Sequence, residues 1–575
     1  MANLKNIAES IKKKNLDEAL SLCETVNDIN NQHIISNFKG VIFLIKGNLE
    51  LSEKNLLKSL KINPKFEDAI KNIYLVYLKK ENFKDLLIYA NKLIEIDQLN
   101  AEYNYKLAYA LELNNNLDES IKYYNIYIDL DGINKKQAFN NIGCMFLGRN
   151  KPKIANDFFL KGINFGEDKI IINNLLNSFI MLRDLENSDL YFEKAQKMDE
   201  NFLDFKFNKA RYLIIKNQIN EAIEILEENK DVAKFLITLL ILYSNLNKKD
   251  ERDKLLITYK EKIKSNHEFY NYLALKSLYD GNFDDGWKYY EYRNSKTIDL
   301  FRNIKEWTGE KIDTKDIVVF NEQGLGDSIQ FSKYIIPLTK IAKNVTFVVQ
   351  NSVKNLFNRE IKNLTIENLA SCKSKQFDYK IAIGSLIKFF FKEKFKENEN
   401  LIQTNKNNDL KWKDKIINDK LNVGLVWSGG FNGVNEPYRS IPLKDLNKIF
   451  SLDAKFYCLQ NEVWDRDKKH FKSLNLIDYG KYKLDEIASI IKSLDLVITS
   501  DTSILHLSAS LKKETWVMLN LHPDWRWGKF NTINPYSSLK FFNQSKFNDW
   551  SDVEDAICLE LKNKINNFKK LKKLK

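Results

Sequence analysis

A helical repeat array followed by a two-lobed α/β region is the architecture this sequence predicts, and three observations carry it. Small and aromatic residues recur with a period of about 34 through roughly the first 300 residues. Beyond them, short apolar runs alternate with amphipathic stretches, the pattern of parallel sheets covered by helices. At the opening of that second part, residues 316–334 (DIVVFNEQGLGDSIQFSKY) set a strand, a glycine turn and a helix in succession.

At 575 residues the chain exceeds what one hydrophobic core supports, and its 44% hydrophobic and 12% aromatic content suffices for several packed interiors. The formal charge of +13 comes from 90 basic and 77 acidic residues spread along the whole length. No Lys/Arg stripe with interleaved aromatics stands out, so a nucleic-acid partner is not expected. The one basic cluster, KKLKKLK at 569–575, is either a solvated tail or a peripheral contact for an acidic membrane surface. Cys23, Cys144, Cys372, Cys458 and Cys558 are odd in number and far apart, which suits a reducing compartment and neither a zinc site nor a disulfide framework. The start, MANLKNIAESIKKKN, lacks an apolar secretory core, and the longest apolar run, 235–243, is too short to cross a bilayer. A cytoplasmic protein is expected, with the inner membrane face as the place of any peripheral contact.

Counting from Gly40, the repeated small or apolar position falls at Tyr74, Ala108, Gly143, Leu176 and Ala210, and continues at Leu240 and Ala274. Sixteen positions further on stand Leu56, Tyr124, Phe159, Phe192 and Tyr290. Small residues let the two helices of a unit approach, and the larger ones fill the groove between them. The pattern resembles the tetratricopeptide family, with several consensus alanines and prolines replaced. Such an array offers a surface for an extended peptide or another protein. The last unit runs through Trp287 and Tyr289-Tyr-Glu-Tyr-Arg293 to Trp307, an aromatic junction that predicts rigid docking rather than a flexible tether.

In the second part, strands are expected at 317–320, 345–350 and 378–383, with a helix at 352–362. The polar stretch 396–415 is expected to link the lobes. Strands at 423–427, 455–459, 496–499 and 515–519 follow, with helices at 484–493 and 503–511. Four clusters fall at strand ends, where α/β lobes place their ligands. Gly324, Gly326 and Asp327 form the first, Asp327 being a helix N-cap or a reactive carboxylate. Gly429 and Gly430, with Arg439 downstream, form a plain loop or a close approach for phosphate. Asp501, Thr502, Ser503 and His506 stand at a strand-to-helix corner suited to a diphosphate. Trp525 and Trp527 offer indoles that stack on a base or sugar, or that seal the lobe.

In order, EQGLGD-S-IQF, VGLVWSGG, YRSIPL, DLVITSDTS-x-x-HL and PDWRW, between Trp287 and Trp550, resemble the tetratricopeptide-linked relatives of glycosyltransferase family 9, the heptosyltransferase family. The resemblance implies two Rossmann-like lobes of the GT-B type, inversion at the anomeric carbon, no cofactor or metal, and a nucleotide-diphospho-sugar as donor. It divides the chain into a repeat array (1–300), an acceptor-side lobe (301–410) and a nucleotide-sugar lobe with the basic tail (411–575). Asp327 matches the family's general base. Thr502, Ser503 and His506 match its phosphate-holding corner beside Asp501, and Arg439 stands near its basic phosphate ligand. Gly324, Gly326, Gly429 and Gly430 supply close backbone approaches. Ser503 departs from the usual Gly or Ala and unsettles ADP-heptose as the donor. The expected function is transfer of a sugar to a protein or surface-glycan acceptor chosen by the repeats. The rival expectation is a protein-binding scaffold whose transferase lobes are inactive.

Overall fold

The structure, a computed structural model, describes residues 2–26, 29–263, 266–293, 299–357, 360–393, 400–430, 436–528 and 536–573. The chain divides into two compact units, residues 1–181 with 189–200, and residues 182–188 with 201–575.

Helix pairs fill the first unit and open the second. The leading helices begin at Gln32, Glu67, Ala101, Lys135, Lys169, Leu203, Ala233 and His267, steps of 34 or 35 residues except the 30 from Leu203 to Ala233. The repeated positions from Gly40 to Ala274 are all buried. A Cβ added at Gly40 would lie 2.5 Å from Leu56 Cγ, and one at Gly143 would lie 2.4 Å from Phe159 Cε1. The residue sixteen positions on therefore occupies the space that glycine leaves. Each pair turns on a residue in the left-handed region: Gly47, Glu81, Asn115, Asn150, Arg183, Asn217, Asn247 and Gly281. Asn and Gly dominate because they reach that region at least cost. Two further helices, Ala2–Lys12 and Leu16–Thr25, precede the first repeat read from the sequence.

The second unit also holds two wholly parallel sheets. The first contains β1 (Lys305–Glu306), β2 (Ile312–Phe320), β3 (Ala342–Val348), β4 (Leu364–Glu367) and β5 (Tyr379–Ala382), in the order β1-β5-β2-β3-β4. The second contains β6 (Leu421–Val426), β7 (Ala454–Cys458), β8 (Ile477–Asp478), β9 (Leu496–Ser500), β10 (Thr515–Leu519) and β11 (Leu539–Asn543), in the order β11-β10-β9-β6-β7-β8. Buried on both faces, the central strands read as unbroken apolar runs such as Ile317–Phe320 and Leu496–Ile498. The strand order reverses at β2 in the first sheet and between β6 and β9 in the second. Ligands of open α/β sheets settle outside the carboxyl ends at such points. The motifs EQGLGD, WSGG and SDTS follow β2, β6 and β9 respectively.

The last repeat is built into the first lobe. Trp287 and Tyr290 share one core with Ile317, Val319, Ile383 and Trp525. Arg293 pairs through two nitrogens with Glu322, whose side chain is wholly buried. The Gly384 N–H donates to the same carboxylate. An aromatic junction packed into the lobe is therefore present, as the sequence leads one to expect.

Two expectations need correction, and a third gains detail. Among the described residues of 352–362 the helix is absent: a 3₁₀ turn, Lys354–Leu356, leads to Phe357, which bridges to Ile402. Leu356 and Phe357 are both buried, Phe357 packing against Phe347 of β3. Within 396–415, residues 406–415 form the helix Lys406–Lys415 rather than a plain linker. Asn405 caps it by accepting from the Asn407 and Asn408 N–H groups, and fully buried Trp412 packs on Tyr479 and Tyr482. Residues 396–399 lie outside the described residues. Of the basic run, residues 569–573 form the exposed end of the long helix Ser551–Lys573, and Lys569 pairs with Asp453 at 2.6 Å.

Candidate active site

The glycine turn after β2 is extended at Gly324 and enters the short helix Leu325–Phe331. Asp327 lies in its first turn, and its Oδ2 accepts from the Gly324 N–H at 3.0 Å. The carboxylate thus does capping work without being the capping residue. Its other oxygen pairs with the Arg526 guanidinium, carried by the loop after β10. Burial pushes the Asp327 carboxyl above its ordinary range, with Arg526 pulling it down and Asp524 pushing it up.

The facing element is the helix Ser503–Ser510, entered from β9 through Ser500, Asp501 and the extended Thr502. The two helices touch at their tips. A Cβ on Gly326 would stand 3.1 Å from His506 Cδ2 and 3.4 Å from the Ser503 Cα. No side chain larger than hydrogen fits there without displacement. The structure therefore brings Gly324, Gly326 and Asp327 of one lobe against Asp501, Thr502, Ser503 and His506 of the other.

Arg439 braces this corner by donating from Nη1 to the Asp501 carbonyl at 3.0 Å. Gly429 is the glycine that lets the guanidinium lie there, since an added Cβ would meet Arg439 Nη2 at 2.8 Å. Gly430 faces open space, and residues 431–435 lie outside the described residues. Burial, then the neighbouring Asp524, push the Asp501 carboxyl up to about 6, against the pull of Arg439 and Arg526. His506 lies one turn inside its helix, 5% exposed and stacked on Trp527 at 5.7 Å between centroids. Burial, with Arg526, Arg439 and Lys333 nearby, holds its imidazole well below the ordinary value, so the ring is neutral. His506 is therefore a neutral hydrogen-bonding group in the lobe contact, not a cation. Its Nδ1 and the hydroxyl of fully buried Ser500 have no hydrogen-bond partner among the described residues. Orphan polar atoms of this kind mark places where a ligand or solvent completes the structure.

The two indoles do not stand open. Trp525 packs edge-on against Trp287 at 5.5 Å and on Tyr290, and Trp527 lies between His506 and Phe541. Both have protein on their faces, which favours the sealing role over stacking on a ligand.

Four participants escape a motif reading. Arg526 bonds Gln330 Oε1 through Nε at 2.7 Å and Asp524 Oδ1 through Nη1 at 2.8 Å, besides pairing with Asp327. Lys333 is 7% exposed, and burial pushes its amine down to about 7. A charged residue set between two tryptophans was the only signal for Arg526. Gln330 and Asp524 stand inside the motifs IQF and PDWRW without any signal of their own, and Lys333 lies just beyond the first. Among the described residues, no group of three His, Cys, Asp or Glu side chains is placed to hold a metal ion.

Two wholly parallel sheets covered by helices are consistent with the α/β domain of a glycosyltransferase. Residues 454–545, from β7 to just beyond β11, match the model of glycosyltransferase family 9 (heptosyltransferase). That match supports a glycosyltransferase domain in this part of the chain, alongside the helical repeats. The match covers Asp501, Thr502, Ser503, His506 and Arg526, while the Asp327 turn lies outside it. Solved structures similar to parts of the chain include PilF of Pseudomonas aeruginosa (17% identity, 35% of this chain and 91% of that one, TM-score 0.31). Others are MamA AMB-1 (18%, 29% and 92%, TM-score 0.26) and MamA of Desulfovibrio magneticus (18%, 28% and 92%, TM-score 0.27). No curated protein matches the chain significantly.

Proposed function

We propose that this protein is an inverting, metal-independent glycosyltransferase that moves a sugar from a nucleotide-diphospho-sugar to a protein or surface-glycan acceptor selected by the repeats. The observation that carries the reading is that Gly326, next to Asp327, packs against the Ser503 helix tip, while Asp327 itself pairs with Arg526 of the same lobe as that tip. Inversion needs a base on one face of the sugar and anion stabilisation on the other. Asp327 takes the proton of the acceptor hydroxyl. The acceptor oxygen bonds to the anomeric carbon as the bond from that carbon to the diphosphate oxygen breaks, leaving its electron pair on the diphosphate. The N–H groups at Thr502 and Ser503 and the Arg439 guanidinium meet that charge, each such donor being worth on the order of 3 kcal/mol of barrier. The neutral His506 contributes a hydrogen bond. The reading requires no transmembrane anchor, and among the described residues no helix is long and apolar enough to cross a membrane.

The test is a thermal-shift panel of nucleotide sugars with chelator present, followed by NMR of the anomeric proton of the product. A donor that raises the melting temperature and yields the opposite anomer supports the reading. If no nucleotide sugar shifts the melting temperature, the reading falls. The scaffold alternative draws on one observation, that Asp327 is already committed to a cation. It predicts no turnover with any donor.

A further inference from the structure

The guanidinium that neutralises Asp327 belongs to the lobe that would hold the donor. Arg526 reaches Asp327 across the lobe boundary, while Asp524, two residues earlier on the same loop, holds Nη1 and also accepts from the Arg526 backbone N–H. The guanidinium lies over the Trp525 ring at 4.6 Å and the Phe331 ring at 5.3 Å, so two flat aromatic faces border it. Among the described residues, its hydrogen bonds to the first lobe go to Asp327 and Gln330. Beside it, the Gln330 side-chain nitrogen is buried and without a partner among the described residues, as is His506 Nδ1.

A carboxylate whose oxygen is occupied by a guanidinium is a poor proton acceptor, because the cation favours the ionised form. A diphosphate at the Ser503 tip is a stronger lure for a bidentate guanidinium than a single carboxylate. Resting on the donor-binding reading above, we infer that Arg526 is shared: it pairs with Asp327 in the empty protein and turns to the donor's diphosphate when the donor binds. Asp524 is the pivot, keeping one edge of the guanidinium in place in both positions. The transfer frees Asp327 to accept the acceptor's proton only when a donor is present. It also places a cation on the leaving group. The Asp327–Arg526 pair thus becomes part of the enzyme's order of events, rather than a sign of a dead site.

The experiment is a double-mutant cycle read by calorimetric titration of the full-length protein with ADP, CDP, GDP and UDP, and with pyrophosphate as the base-free probe. Asp327→Asn removes the competitor for Arg526 and keeps an acceptor for the Gly324 N–H. It should bind the preferred nucleoside diphosphate roughly fivefold tighter than the wild type, while losing transfer. Arg526→Gln should weaken binding, and in the Arg526→Gln/Asp327→Asn double variant the gain from Asp327→Asn should vanish. Simple relief of charge repulsion would leave that gain intact. Arg526→Lys, which keeps the charge but not the fork, serves where Arg526→Gln fails to fold, and should show a reduced gain. Unchanged or weaker binding in Asp327→Asn, or a gain that survives removal of Arg526, overturns the inference and leaves the transferase reading standing. Absence of binding by every probe to the wild type overturns both.

Discussion

Substituting Gly326 with alanine tests the lobe contact on which the site depends. The added Cβ meets His506 Cδ2 at 3.1 Å and the Ser503 Cα at 3.4 Å, and neither neighbour yields easily. The imidazole is held between Trp527 and Tyr536, and the Cα is backbone at the helix tip. Overpacking of this kind costs about 1–3 kcal/mol. Replacing a glycine in a first helical turn returns less than about 1 kcal/mol in helix propensity. A net cost of about 1 kcal/mol, expressed as displacement of the Ser503 tip, weakens nucleoside diphosphate binding about fivefold. Titration calorimetry of Gly326→Ala reads this directly. Gly430→Ala is the control, since its Cβ enters open space. Binding unchanged in Gly326→Ala, or weakened equally in Gly430→Ala, would refute the reasoning.

Three further outcomes are expected. Arg293→Met leaves the Glu322 carboxylate buried with the Gly384 N–H but without its cation, and should cost about 3–5 kcal/mol by urea denaturation; addition of Glu322→Gln should recover part of that. His522 packs on Tyr279 at 4.0 Å, and burial pushes its imidazole from 6.5 down to about 4. The unfolded chain takes up that proton as the pH falls below 6.5 and the folded protein does so only near 4, so stability is lost across this window, by at most about 3 kcal/mol. In His522→Gln the slope of stability against pH between these values should flatten. Trp527→Phe should lower the melting temperature yet leave nucleoside diphosphate affinity within about twofold, because the indole is packed on His506 and Phe541 rather than open to a ligand.

The repeats were legible because their period is set by close packing: glycine and alanine at one position, a large residue sixteen later. The strands bearing the site were legible because burial on both faces leaves uninterrupted Val, Ile and Leu. What escaped reading was local structure supported from a distance. The helix Lys406–Lys415 looks like linker, since nine of its ten residues are polar or exposed and only Trp412 is buried. Strands β1 and β8 have two residues each and carry no periodicity at all. Arg526 escaped for a different reason. Its motif marks the tryptophans on either side, whereas its role arises from a carboxylate 199 residues away that only the closed lobes bring within reach.

The central claim is that Asp327 acts as a base on a donor held at the opposite helix tip. The measurement that tests it most directly is release of nucleoside diphosphate from the preferred nucleotide sugar, with chelator and acceptor present, by the wild type and by Asp327→Asn. The account predicts a fall of roughly 10²–10⁴-fold in the variant, with the donor still bound. Equal rates would contradict it.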